Sequence, residues 1–235
     1  MSADAERLER LAVLEGEIVE CFRCPRLVAW RELVAREKRA SFAGEEYWGR
    51  PIPGFGDPDA GVLILGLAPA AHGANRTGRV FTGDRSGDFL FAALHRTGFA
   101  NQPTSVHAGD GLKLDGAWIT AAVRCAPPAN KPTPAERDTC LPYALRELEL
   151  LAGVRVVVCL GAFAWDAALR LLAGSGLALP RPRPRFGHGT EVAFDPPAPI
   201  LLGTFHPSQQ NTFTGVLTAV MLDAVLLRAR ELAAL

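Results

Sequence analysis

No run of apolar residues in this 235-residue chain approaches the roughly 18 that a membrane-spanning helix needs. Its acidic, amphipathic start, MSADAERLERLAVLEGEIVE, does not resemble a secretory leader. A cytoplasmic protein with no membrane partner is expected. Net charge is lacking too: 25 basic and 25 acidic residues cancel, which argues against a strong non-specific nucleic-acid binder while leaving room for local patches. Lysine is scarce, present only at Lys38, Lys113 and Lys131, so the positive charge is carried by arginine, whose planar fork suits phosphate. No GxGxxG opens a helix and no GKS or GKT occurs, which removes the usual nucleotide-binding fingerprints. Internal repeats are absent as well.

A hydrophobic content of 49% suffices for a full core, and the length fits one domain spanning residues 1–235. Val62–Leu65, Ala117–Val123, Val154–Leu160 and Ile200–Thr204 are short apolar runs of the kind that form strands buried on both faces. Helical patterns separate them. The expected fold is α/β, a three-layer α/β/α arrangement with a central four-stranded parallel sheet. Helices are expected at Ala5–Glu20, with Leu8, Leu11, Leu14 and Ile18 inward, and at Pro25–Ala40, Asp88–Thr97, Phe163–Leu172 and Val216–Leu235. The last of these turns Leu217, Val220, Met221 and Leu227 toward the core. Thr133, Pro134 and Glu136 start a further helical turn with a capping box. Pro142 should end that turn and leave Cys140 at a corner before a new helix to Leu151. The first strand runs into VLILGLAPAAHGANRTGRVFTGDRSG, too rich in glycine for a packed helix. This loop falls at the carboxyl edge of the sheet, where ligands bind in open α/β folds.

Cys159 lies inside a strand pattern and belongs to the core. The other four cysteines form a set: Cys21 and Cys24 in CFRC, then Cys125 and Cys140 with fourteen residues between them. Four thiolates can hold zinc or an iron-sulfur cluster, and spacing alone does not choose. The role is structural in either case, since no open ligand position is evident.

GLAPAAHGANRTG with FTGD, ITAAVRCAPPANKP and HPSQQNTFTG resemble the active-site motifs of the uracil-DNA glycosylase superfamily, in particular its family 5 (type b) enzymes of bacteria and archaea. The resemblance covers nearly the whole chain. It implies a 4Fe-4S cluster instead of zinc, and a monomer acting on DNA that contains uracil or other deaminated bases such as hypoxanthine. Phe81 matches the aromatic residue on which the extruded base stacks, with Gly66, Ala68 and Ala121 beside it. His206 matches the histidine that contacts the base oxygen, and Pro207–Thr212 the loop pressed into the minor groove. Asp84 and Asn130 match polar residues near the abasic sugar. Ala68 stands where family 1 enzymes carry a water-activating Asp, and Ala121 where families 1 and 4 carry an Asn that reads the uracil edge. Both alanines look typical of family 5.

These residue types suit the chemistry without the family. A base inside a duplex must be extruded and then held by stacking and edge hydrogen bonds. Cleavage of its glycosidic bond puts negative charge on the departing base, which a donor such as His206 can stabilise. DNA contacts are expected from Arg76, Arg79, Lys131, Ser208, Gln209, Gln210 and Asn211, and from the basic segment Pro180–Arg185. The competing reading is a non-catalytic iron-sulfur nucleic-acid-binding protein.

Overall fold

The computed structural model describes residues 2–235. Six strands, β1 (Phe55–Gly56), β2 (Val62–Gly66), β3 (Ala117–Ala121), β4 (Val156–Leu160), β5 (Glu191–Val192) and β6 (Ile200–Thr204), join in the order β1-β3-β2-β4-β6-β5. The inner four are mutually parallel, as their apolar runs imply. The outer two pair antiparallel and are two residues long each, too short for any alternation to show in the sequence.

Alternation along β2 divides the core in two. Val62 and Ile64 enter one hydrophobic cluster, while Leu63 and Leu65 enter the other. Helices α4 (Arg85–Arg96) and α8 (Ala219–Ala233) pack on the first face; α1 (Ala3–Val19), α5 (Pro134–Leu150) and α6 (Ala162–Gly174) pack on the second. Among the described residues three further α-helices are α2 (Pro25–Glu37), α3 (Ala74–Thr77) and α7 (Gln209–Phe213). The three-layer α/β/α reading therefore holds. Among the described residues no helix is long and apolar enough to cross a membrane.

Several local expectations change. α5 runs without interruption through Pro142, so Cys140 sits on a helix and not at a corner. Proline deprives the Asp138 carbonyl of its helical partner, but Asp138 is exposed and water can satisfy that group. In α8 the buried stripe is Leu222, Val225, Leu226, Ala229 and Ala233, whereas Val220 is 78% exposed and Leu227 also faces solvent. Leu8 of α1 is exposed as well. The glycine-rich loop contains the single turn α3, and α4 begins at Arg85, three residues earlier than its apolar pattern.

A buried ion pair fixes the segment after β3. Arg124 and Glu147 of α5 are 2% and 1% exposed, and Glu147 also accepts from Thr120 Oγ1 at 2.8 Å and Gly54 N at 3.2 Å. Arg124 is thereby held in place next to Cys125.

Candidate active site and thiol cluster

In a parallel sheet of this order, β2 is the strand from which the chain departs first to one side and then to the other, and the crevice at its carboxyl end is the place for a ligand. Gly66 closes β2. A Cβ there would lie 2.7 Å from Phe81 Cε2 and 2.8 Å from Cζ, so glycine lets the Phe81 ring rest against the strand end. Phe81 itself has φ 52, and Ala129 and Asn130 across the crevice have φ 53 and 54. Left-handed backbone costs roughly 1–2 kcal/mol per non-glycine residue. Phe81 and Asn130 line the crevice and Ala129 adjoins it, and strain stored at such positions is a mark of functional sites.

His206 follows β6 and its Cβ lies 3.2 Å from where Gly161, with φ +90, would carry one. The Phe81 and His206 rings face the same space, their centroids 6.1 Å apart and their planes tilted by 35°. Burial pushes the His206 pKa down to about 4, so the imidazole is neutral at physiological pH and donates through one ring nitrogen only. Asn211 Nδ2 donates to the His206 carbonyl at 2.9 Å, and Ser208 caps α7 by accepting from Asn211 N. The HPSQQN loop is thus held by its own side chains.

Asp84 is the N-cap of α4: its Oδ1 accepts from Gly87 N at 3.0 Å. The other oxygen lies against Gly73, where a Cβ would come within 2.1 Å of it. Burial raises the carboxyl's pKa above the ordinary range, partly offset by hydrogen bonds from Gly87 and Ser86. The D-x-x-G pattern ahead of the apolar stripe was the available sequence signal for this cap.

Ala68, Phe81, Asp84, Asn130, His206, Ser208 and Gln210 come together around one cleft of about 370 Å³. Leu67, Pro69, Ala70, Val80 and Ser86, which the motifs did not single out for this role, complete its walls. Gly66 and Ala121 pair across β2 and β3 beneath the cleft and do not line it directly. Gln209 borders a neighbouring cleft, and Lys131 is exposed beside Asn130.

Two expected DNA contacts are withdrawn. Arg79 is 4% exposed and gives its guanidinium to Asp110 at 2.9 and 2.7 Å, Ser105 at 2.8 Å and Thr82 at 3.0 Å. Burial alone would raise the Asp110 carboxyl; the Arg79 hydrogen bonds hold it well below the usual range instead. Arg76 donates to the His72 and Gly83 carbonyls, both at 2.9 Å, pairs with Glu45 and covers the Phe42 ring at 4.0 Å. Both arginines brace the loop from inside. Arg183 of the basic segment pairs with Asp166 at 3.3 Å.

Of the four cysteines singled out by spacing, Cys24, Cys125 and Cys140 gather around one buried cluster beside the cleft, and Cys21 packs against the neighbouring core. Cys125 and Cys140 share a buried cluster with Leu27 and Val123, and Cys24 and Ala68 pack against it. Burial drives two of the thiols up, Cys24 to about 11 with neighbouring cysteines adding to the rise, and Cys125 to about 12 against the pull of the Arg31 charge. Arg31, 1% exposed on the Leu27–Arg31–Val34 face of α2, donates to Cys125 Sγ and to the Cys21 carbonyl, both at 3.1 Å. A buried cation on a sulfur fits a site that carries thiolate charge. Among the described residues no three cysteine, histidine or carboxylate groups stand close enough to hold one metal ion. A cube-shaped iron-sulfur cluster, with an iron at a separate corner for each thiolate, spreads its ligands more widely than a single tetrahedral ion does. Cys159 is fully buried in β4, apart from the set.

Residues 53–228 match the family model of the uracil DNA glycosylase superfamily, and the chain belongs to that superfamily. Among curated relatives it is 58% identical to a type-5 uracil-DNA glycosylase of Mycobacterium tuberculosis over 222 residues, 94% of this chain and 81% of the relative. It is 52% identical to the type-5 uracil-DNA glycosylase of Thermus thermophilus over 218 residues, 93% and 96% of the two chains. A type-4 uracil-DNA glycosylase of Pyrobaculum aerophilum is 34% identical over 128 residues, 54% of this chain and 57% of that one. The likeness is thus carried along nearly the full length by the type-5 group.

Proposed function

We propose that the protein is a monofunctional DNA glycosylase that extrudes uracil from DNA and hydrolyses its N-glycosidic bond. The observation that carries this reading is the facing pair of Phe81 and a neutral His206 across one cleft. Phe81 offers a ring face for the extruded base. As the bond from the sugar C1′ to the base nitrogen breaks, its electron pair moves onto the base, and the His206 N–H meets the base oxygen where that charge accumulates. Water adds its oxygen to C1′, and its proton balances the departing base anion. In this reading Asp84 and Asn130, which line the same cleft, orient that water.

Cys21, Cys24, Cys125 and Cys140 hold a 4Fe-4S cluster in this reading, supported by their grouping and by the Arg31 contact. The cluster supplies a fixed anchor between α1, α2, the segment after β3 and α5, and takes no part in the chemistry. Substrate range extends to hypoxanthine and other deaminated bases. Support for that breadth comes from the inner wall, where Leu67, Ala68, Pro69, Ala70 and Val80 present no side-chain amide to a base edge.

Incubation with uracil-containing duplex followed by alkaline cleavage of abasic sites tests the reading. Strand breaks confined to the uracil position are expected. Stoichiometric DNA binding without breaks would favour the non-catalytic iron-sulfur protein.

A further inference from the structure

With Arg76 and Arg79 turned inward, the cations free to meet a phosphate lie elsewhere. Arg39, just before the 3-10 turn Ala40–Phe42, and Arg85, the first residue of α4, are exposed. Among the described residues neither guanidinium has an ion-pair or hydrogen-bond partner; Arg85 only rests over the exposed Phe213 ring at 5.7 Å. Both line a second cleft of about 410 Å³. That cleft shares Ala70, Asp84 and Asn130 with the base cleft, so the two form one continuous depression.

The remaining walls suit a phosphodiester. His72 and Gln209 offer polar groups and Phe42 an aromatic face. The local field is positive: after burial, the charges of Arg39 and Arg76 are what push the His72 pKa down. Asp84 is the one carboxylate on the lining, and it is tied to the start of α4. Glu45, nearby, is taken up by Arg76. Cations, amides and an aromatic ring along one groove are what a protein uses to follow a nucleic-acid strand out of its duplex path.

We propose that this second cleft holds the sugar-phosphate backbone of the strand carrying the extruded nucleotide, with Arg39 and Arg85 on its phosphates. The identity of the strand rests on the glycosylase reading; the phosphate contacts do not. They are tested by measuring the dissociation constant of the full-length protein for a duplex bearing one tetrahydrofuran abasic-site analogue, across a range of KCl concentrations. Each phosphate contact contributes about 0.9 to the slope of log affinity against log salt. Arg39→Gln and Arg85→Gln should each lower the slope by about 0.9 and the double variant by about 1.8. Arg39→Lys and Arg85→Lys should keep it, as should Arg228→Gln, whose parent residue pairs with Glu191 on α8's outer side. A double variant with the wild-type slope would overturn the proposal, and if wild-type protein still releases uracil, the glycosylase reading survives that loss. Loss of slope in the variants together with no uracil release by the wild type would sink the glycosylase reading and leave the phosphate track standing.

Discussion

A histidine that is neutral down to about pH 4 can lend a hydrogen bond but holds no proton to give away at neutral pH. His206→Ala should therefore slow base release by about 10²- to 10³-fold, the loss typical of one donor to a developing oxyanion, with DNA binding retained; a single-turnover rate equal to wild type would remove His206 from the chemistry. The same burial has a cost in acid. Between the ordinary histidine value of 6.5 and about 4 the unfolded chain takes up a proton at this position that the folded chain refuses, so stability declines as pH falls through that window. Thermal melts of His206→Gln should show a flatter pH dependence there. Asp84 works in the opposite direction, because burial raises its pKa. If it orients water as a carboxylate, the acid limb of kcat/KM belongs to Asp84, above the usual carboxylate range, and Asp84→Asn should abolish that limb while leaving α4 capped. At this scale the motifs displayed Phe81, His206, Asp84 and Asn130, but not what each rests on. That Gly66 serves the Phe81 ring, or that Arg79 faces inward, depends on contacts between residues far apart in the chain, which a local pattern does not carry.

Among the elements, α5 does the most to join site and core. It supplies Cys140 to the thiol cluster, Glu136 to a pair of 2.7 Å hydrogen bonds from Arg26 of α2, and Glu147 to the buried pair with Arg124. Removing one partner of such a pair strands a charge in the core at a cost of about 3–5 kcal/mol, whereas replacing both with apolar residues is often near neutral. Glu147→Ala should lower the urea midpoint accordingly, and Arg124→Leu with Glu147→Leu should recover only part of the loss, because Thr120 Oγ1 and Gly54 N still lose their acceptor. For the cluster, the expected outcome is brown protein with iron and sulfide after anaerobic purification. Cys125→Ser should lose the colour and Cys159→Ser keep it; colourless wild-type protein holding only zinc would refute the cluster. Helix starts with strong caps, such as Thr133, could be read from sequence. Pro142 could not be placed correctly, because whether a proline ends a helix depends on whether the carbonyl it leaves without a partner can reach water, and that is decided by packing.

For the molecule as a whole, the apolar runs sufficed for the parallel sheet and its layers, because strands buried on both faces leave a continuous signature. Substrate breadth is also a property of the whole cleft. Pockets that read a base edge through a buried amide reject analogues by roughly 10⁴- to 10⁵-fold, and apolar ones by only about 10- to 200-fold. Ala121 lies under the cleft, in register with Gly66, and the amides on the lining, Asn130 and Gln210, are solvent-exposed, so in the proposed reading discrimination falls to His206 and shape. Rates on uracil, hypoxanthine and an etheno-base in matched duplexes should differ by less than the amide regime, with unpaired bases preferred because they are cheaper to extrude; a uracil preference above about 10⁴-fold would contradict this. Ala121→Asn should narrow the range toward uracil.

The two-residue strands β1 and β5 bear on how copies of the chain behave toward one another. With no net charge at neutral pH, the protein has little electrostatic self-repulsion to keep copies apart in concentrated solution. An open parallel sheet would normally offer long unpaired ladders at both margins. Here each margin is finished by a strand of only two residues. At Gly56 a side chain would strike the Ala117 carbonyl at 2.3 Å, and the other margin begins with the charged Glu191, which is held by Arg228. A neighbouring copy that approached edge-on would find only a short ladder to extend, which closes one route to association that the absent net charge does not oppose.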